Sequence, residues 1–291
     1  MRIAVVAPAS AMSAAVEGRI LALAASLYPD APPDIAFHPQ CLLRHGHFAG
    51  DDAARAAALV EVAEDPEVDA VWFGRGGYGS CRIAETVLAA LGPAARAKPY
   101  LGYSDCGTLL AGLYGAGCTA AAHGPVAQDV LRPEGEAAAA RALRWLVERD
   151  PAALEPSVGQ GGCPTAAFNI TILSQLLGTA LQPDLDGHVL MLEEVSEQMY
   201  RIDRAMFHVT SNPGIRRVAG IRLGRCSAIP PNEPDFGLDE EAVVRFWCGR
   251  SGIPWLGRAD IGHDVGNRVV PFGGRPVPEG QKTINDALQS V

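Results

Sequence analysis

Apolar and polar positions follow two alternating periods through the first half of this chain. Residues 2–7 read as a strand, since the continuous apolar run 3–7 stops at Pro8 as in a strand buried on both faces. Residues 11–27 are alanine-rich and read as a helix, and 35–38 suit a second strand. A helix spans 51–64, with Asp51 and Asp52 at its start and Asp65 and Pro66 at its stop. A strand at 69–73 runs directly into GRGGYGS, and a helix follows at 80–91. Then come a strand at 100–103, a helix at 108–114, a strand at 118–123 ending in His-Gly-Pro, and a helix at 134–148. Strands and helices alternating at this spacing predict an α/β fold with a mostly parallel sheet covered on both faces.

The pattern breaks near residue 150. DPAALEPSVGQGGCP has no period and is rich in Pro and Gly, as a linker would be. Beyond it we expect a helix at 165–177, a strand at 188–192 ending in three nearby glutamates, and a helix at 201–209. A strand at 218–223, a helix at 240–248 and a short strand at 269–271 follow. The chain therefore divides into 1–150 and 165–291, the second part richer in strand and loop. It has no internal repeat.

Its 291 residues suffice for one large domain or two modest ones with a substantial core. Hydrophobic residues at 48% and charged residues at 20%, with 32 Gly and 22 Pro in no regular order, are those of an ordinary soluble globular protein. A formal net charge of -9 without any Lys/Arg block argues against a nucleic-acid partner. The N-terminal apolar run is a first strand rather than a signal peptide. No run approaches the ~18 apolar residues of a membrane span. The 7 cysteines are scattered, with no C-x-x-C pair, which fits free thiols in a reducing compartment and hence the cytoplasm.

Ligands of open α/β sheets gather beyond the carboxyl ends of the strands. Two glycine-rich loops fall there, 74–79 and 102–107. In the latter, Ser104 serves either as a helix cap, with Asp105 suiting a helix start, or as a nucleophile thrust out at a tight turn. The Gly-x-Ser-x-Gly elbow is met with its last glycine one position late, Gly102-Tyr103-Ser104-Asp105-Cys106-Gly107. There the hydroxyl would lie beside N–H groups that stabilise an oxyanion. The loop 74–79 meets neither the dinucleotide nor the phosphate-loop spacing. Gly76 and Gly77 let backbone approach a ligand, and their N–H groups are candidates for one arm of an oxyanion hole. Arg75 is a candidate partner for a substrate carboxylate, or for a structural ion pair.

A nucleophilic serine needs a base, and the base an orienting carboxylate. Histidines stand at 38, 45, 47, 123, 188, 208 and 263. His45 and His47, two apart in a polar loop, suit a metal only if further ligands come from elsewhere. His123 ends a strand, and His263 sits in an aperiodic loop between glycines. Local sequence ranks these two together, and either serves equally as a structural histidine. Glu193, Glu194 and Glu197 read either as a solvated acidic turn or as a source of one rigid carboxylate. Glu193, directly after the apolar run, is the one expected to point inward.

In their order along the chain, several segments resemble the LD-carboxypeptidase family of serine peptidases, typified by muramoyltetrapeptide carboxypeptidase. They are VVAPAS, FAGDDAARAAAL, DPEVDAVWFGRGGYGS, LGYSD, AHGPV, NITILSQLLGTALQPDLDGHVLMLEEVSEQMYRIDRAMFHV and IGHDVGNRVVPFG, and they cover nearly the whole chain. The resemblance implies a flavodoxin-like N-terminal domain carrying the nucleophile. It also implies a smaller C-terminal β/α domain carrying glutamate and histidine, with the active site in the cleft between them. By motif it implies Ser104 as nucleophile, Glu193 as the triad glutamate, His263 as base, and the N–H groups of Asp105 and Gly77 as oxyanion hole. Glu194 stands where the family usually has Asp. The implied reaction releases the terminal D-alanine from murein tetrapeptides, free or linked to anhydro-muramic acid, in cell-wall recycling. It needs no metal or other cofactor, and the working form is a homodimer. Arg75 and Arg201 are candidates for the terminal carboxylate, Arg204 for bracing the acidic strand end, and Asn169 for lining the cleft. The alternative is a related self-immunity hydrolase cleaving peptidyl-nucleotide antibiotics of the microcin C kind. Those relatives look longer, with a loop that stacks on the nucleobase. A two-lobed binding protein would carry an export signal. A dinucleotide oxidoreductase would carry a glycine fingerprint after the first strand, where APASAMS has none.

Overall fold

The computed structural model describes residues 1–274. In the first half, strands β1 (Arg2–Val6), β2 (Asp34–Phe37), β3 (Ala70–Phe73), β4 (Tyr100–Gly102) and β5 (Ala121–His123) alternate with helices. These are α1 (Ala15–Leu27), α2 (Asp52–Glu64), α3 (Ser80–Ala90), α4 (Pro93–Ala97), α5 (Gly107–Gly115) and, after β5, α6 (Gly135–Glu148). The second half supplies β6 (Thr165–Asn169), α7 (Ile170–Leu176), β7 (Val189–Val195), α8 (Met199–Ser211), β8 (Gly220–Ser227), α9 (Glu240–Ser251), β9 (Trp255–Arg258) and β10 (Val270–Pro271).

Strands β1 to β5 pair in parallel in the order β2-β1-β3-β4-β5, the flavodoxin-like doubly wound arrangement. Their continuous apolar runs are explained by cover on both faces. Ile3, Val5, Trp72 and Leu101 pack under α1 and α6, while Val6, Val71, Phe73 and Tyr100 pack under α2, α3 and α5. Each such side chain contributes roughly 1.5–3 kcal/mol by leaving water.

The second sheet, β6-β7-β8-β9, pairs in parallel throughout. The stretch 165–177, expected as one helix, is a strand and a helix joined at Asn169. All five residues of β6 are buried beside β7, and that burial overrides the helical tendency of its alanines. Glu193 and Glu194 lie inside β7 rather than in a turn beyond it. The elements α4 and β9, of five and four residues, are too short to display a period and were not expected.

The stretch 150–164, expected as a linker, is packed down. Leu154 bridges Val269, and the buried Glu155 accepts from Ser157 N–H at 2.7 Å and Asp260 N–H at 3.1 Å. β10 crosses back to pair antiparallel with β5 at the edge of the first sheet. There Thr165 Oγ1 donates to Pro271 O at 2.7 Å, and Gly273 N–H donates to Thr165 O at 2.9 Å. Phe272 packs edge-on against Phe168 at 5.1 Å and Tyr114 at 5.8 Å. The end of the second half thus closes the first sheet and fastens β6 to it. Of the second expected unit, residues 275–291 lie outside the described residues. Among the described residues no helix is long and apolar enough to cross a membrane.

Candidate active site

The chain leaves β4 at Gly102 and turns sharply before α5. Ser104 takes φ +62°, the left-handed region that costs a side-chain-bearing residue roughly 1–2 kcal/mol. The hydroxyl caps neither the 3-10 turn nor α5, which have no side-chain cap. Ser104 Oγ lies instead 3.0 Å from His263 Nε2. Asp105 turns into the protein, and its Oδ2 accepts from Ser80 N–H at 2.8 Å at the start of α3. That ties the turn to the end of loop 74–79, where a helix start favours negative charge.

Loop 74–79 is anchored further by Ser10 N–H to Gly76 O at 3.3 Å and Gln128 N–H to Gly74 O at 2.9 Å. Gly76 runs so close to Ser104 that a Cβ there would stand 2.9 Å from Ser104 Cβ and 3.1 Å from its Oγ. Gly77 takes φ +112°, and its N–H meets no acceptor among the described residues. The loop also rests on Arg55, which sequence reasoning missed. This buried guanidinium donates to Gly79 O at 2.9 Å and to Pro8 O, and pairs with Asp52 at 2.5 Å. A usable signal was present: Arg55 falls on the stripe of α2 that carries Leu59 and Val62, the buried face.

His263 stands between β9 and β10. Its Nδ1 lies 2.5 Å from Glu193 Oε2, and its ring centroid 4.8 Å from that of Tyr103. A carboxylate at Nδ1 holds the proton there and leaves Nε2 free to accept from the serine. Glu193 and Glu194 part company because successive strand residues face opposite sides, and the β7–β8 register shifts between Leu192 and Glu194. Glu193 is fully buried, and its Oε1 has no hydrogen-bond partner among the described residues. Glu194 faces α7. It accepts from Asn169 Nδ2 at 2.6 Å, Thr171 N–H at 2.9 Å, Thr171 Oγ1 at 2.7 Å and Val195 N–H at 2.9 Å. Burial still raises its pKa above the usual carboxylate range.

Asn169 is buried and used twice within the fold, since its Oδ1 also accepts from Ile172 N–H at 3.1 Å and caps α7. His123 is separate from the serine. It is buried with Nε2 at 3.0 Å from Asn267 Oδ1, and burial pushes its pKa down to about 4. His47 Nε2 lies 3.1 Å from Ser10 Oγ. Among the described residues no group of three His, Cys, Asp or Glu converges as a metal site would.

A cavity of about 480 Å³ opens over Ser104 and His263, with Arg75, Gly77, Gln128 and Arg132 in its wall. Arg132 is braced on three sides, by Asp129 at 2.8 Å, His263 O at 2.6 Å and Tyr103 OH at 3.3 Å. Arg75 is exposed and donates to Ala11 O at 2.7 Å. Arg201 lies elsewhere, in a groove between α7 and α8, 3.7 Å from Glu197 and beside Arg204. A hydroxyl, imidazole and carboxylate in one chain, at a strained strand-to-helix turn, can activate an oxygen nucleophile for acyl transfer.

The fold is of the α/β class, with a serine, a histidine and a glutamate hydrogen-bonded in one site. The chain belongs to the LD-carboxypeptidase family, whose N-terminal domain matches residues 3–124 and whose C-terminal domain matches residues 164–276. A putative carboxypeptidase of Synechocystis sp. is 33% identical over 81% of this chain and 78% of its own length. The murein tetrapeptide carboxypeptidase of Pseudomonas aeruginosa is 28% identical over 97% of this chain and 94% of its own. Among solved structures, muramoyltetrapeptide carboxypeptidase from Oxalobacter formigenes superposes with a TM-score of 0.76 at 23% identity, covering 94% of this chain and 93% of that one. MccF in complex with glutamyl sulfamoyl guanosine gives 0.75 at 15% identity, covering 94% and 91%. At these identities the two structures speak to the fold.

Proposed function

We propose that this protein is a serine LD-carboxypeptidase that releases the terminal D-alanine from murein tetrapeptides. The observation that carries this reading is the hydrogen-bonded chain from Ser104 through His263 to the buried Glu193, in the wall of an open cavity. Ser104 attacks the carbonyl of the third stem residue while His263 Nε2 takes its proton. Glu193 orients the imidazole and stabilises its charged form. The N–H groups of Gly77 and Asp105 receive the oxyanion. His263 then delivers the proton to the departing D-alanine nitrogen, and water, activated by the same base, hydrolyses the acyl-enzyme. Arg75 meets the terminal carboxylate. Asn169 acts through Glu194 in holding the end of β7, and Arg201 borders the outer groove. In this reading 1–150 and 165–291 are the functional units, each supplying part of one site. The family and the names of its relatives support a peptidoglycan peptide as substrate. We take the cytoplasm as the compartment, which the seven free cysteines favour, and a homodimer as the working form.

The test is a mass assay on L-Ala-γ-D-Glu-meso-diaminopimelyl-D-Ala, with and without EDTA. We expect loss of one D-alanine, insensitive to EDTA. Ser104→Ala should lower turnover by about 10⁴-fold or more with its circular dichroism unchanged. Turnover retained in that variant removes Ser104 from the mechanism. An aminoacyl sulfamoyl nucleoside is assayed alongside. Its cleavage without D-alanine release would replace the peptide substrate by the peptidyl-nucleotide one.

A further inference from the structure

Asn267 is fully buried, on the same loop as His263. Its Oδ1 faces two donors, Gly262 N–H at 3.2 Å and His123 Nε2 at 3.0 Å. The first is the residue directly before His263. An N–H can meet only the oxygen of the amide, so this bond fixes which way the amide points. His123 must then donate from Nε2, and its tautomer is fixed as well. His123 in turn ends β5, where it pairs in register with Gly102 of β4, two residues before Ser104. One buried carbonyl oxygen therefore links the N–H of the residue before His263 to the strand beside the one that delivers Ser104. The loop is also anchored by Glu193 at His263 Nδ1, by the backbone bonds Arg225 N–H to Ile261 O at 2.8 Å and Arg268 N–H to Asp260 O at 3.2 Å, and by arginine side chains. Arg132 donates to His263 O at 2.6 Å, Arg141 to Val265 O at 3.0 Å, and Arg225 to Asp264 at 2.5 Å. Asn267 Nδ2 is buried with no partner among the described residues, an arrangement that costs stability and that packing alone does not call for.

We infer that Asn267, held by His123, is a positioning residue that sets the distance between His263 Nε2 and Ser104 Oγ. This rests on the assignment of Ser104 and His263 proposed above. It adds that the spacing is fixed by a pair that touches neither substrate nor the reacting atoms.

The experiment measures the rate at which a fluorophosphonate labels Ser104, which requires an activated serine but no particular peptide. Native protein, Asn267→Leu, His123→Leu and His123→Gln are compared on samples shown to be folded by circular dichroism. Both leucine variants should label about tenfold more slowly. His123→Gln keeps a side-chain N–H for Asn267 and should recover most of the native rate. On the murein peptide, kcat should fall by the same factor with KM unchanged. Native-like labelling of His123→Leu overturns the proposal, and so does a glutamine variant as slow as the leucine one. Labelled native protein that releases no D-alanine defeats the substrate reading alone, and the labelling rates still decide this inference. Native protein that is not labelled at all defeats both.

Discussion

Two hollows of similar size flank the end of β7. One, of about 480 Å³, holds Ser104, His263 and Arg75, and the other, of about 450 Å³, is lined by Arg201, Arg204 and His208 opposite Thr171 and Ser174. Each offers hydroxyl, imidazole and guanidinium groups. They differ in what holds those groups. In the α7–α8 groove the cations project from one helix into solvent, and Arg201 meets Glu197 at only 3.7 Å. Exposed pairs of this kind hold no fixed geometry and are worth little. In the cavity, Ser104 is held by a strained turn, His263 by a buried carboxylate, and the glycine loop by Arg55 and Asp105. Volume and polar content are alike, and only one hollow has groups braced from several elements, which precise chemistry requires.

The sharpest way to break this comparison is Glu193→Gln, which keeps the shape and removes the charge behind His263. It should lower kcat by about 10³–10⁴-fold with little change in KM, and a loss below tenfold would show that His263 needs no such partner. A shift of the nucleophile itself comes next. Gly76→Ala brings a methyl against Ser104 and should lower kcat/KM by about 10²-fold.

The buried backing of the cavity should show in pH dependence. His123 titrates at about 4 when folded, against 6.5 when exposed, because burial disfavours its charged form. The unfolded chain binds the proton first, so stability is full above pH 6.5 and declines as pH falls toward about 4. The decline due to this group is roughly 3 kcal/mol. His123→Gln should flatten the acid limb of thermal melts between pH 7 and 4.5, and an unchanged limb would show that the ring is not held neutral. The smallest effect separates the two hollows directly. Arg75→Gln should raise KM about tenfold for a peptide with a free terminal carboxylate, whereas Arg201→Gln should stay within about twofold. The reverse result would move the carboxylate to the outer groove.

Much of the first sheet was legible because strands covered on both faces leave unbroken apolar runs between amphipathic helices. The stretch 165–177 misled because a fully buried short strand and a helix segment look alike in apolar content, and only the neighbours of β6 decide between them. Glu193 was expected as the inward acid because it follows Leu192 directly, whereas both Glu193 and Glu194 proved to be buried within the strand, on opposite faces. Asn267 carried no local mark, because both its donors are contributed through folding, one of them from β5.

The order of motifs along the chain was enough to assign the family, the α/β class and the candidates Ser104, Glu193 and His263, because each of those signals is local to a few residues. Whether Ser104 caps a helix or faces an imidazole was decided only by tertiary structure. Its φ of +62° and a partner in a loop far along the chain have no local signature. The choice between His123 and His263 fell the same way. Both end or follow short apolar segments, and what separates them is burial against Asn267 in one case and contact with Glu193 and Ser104 in the other. Distances between side chains remote in sequence are set by packing, and packing exists only once the two sheets have met.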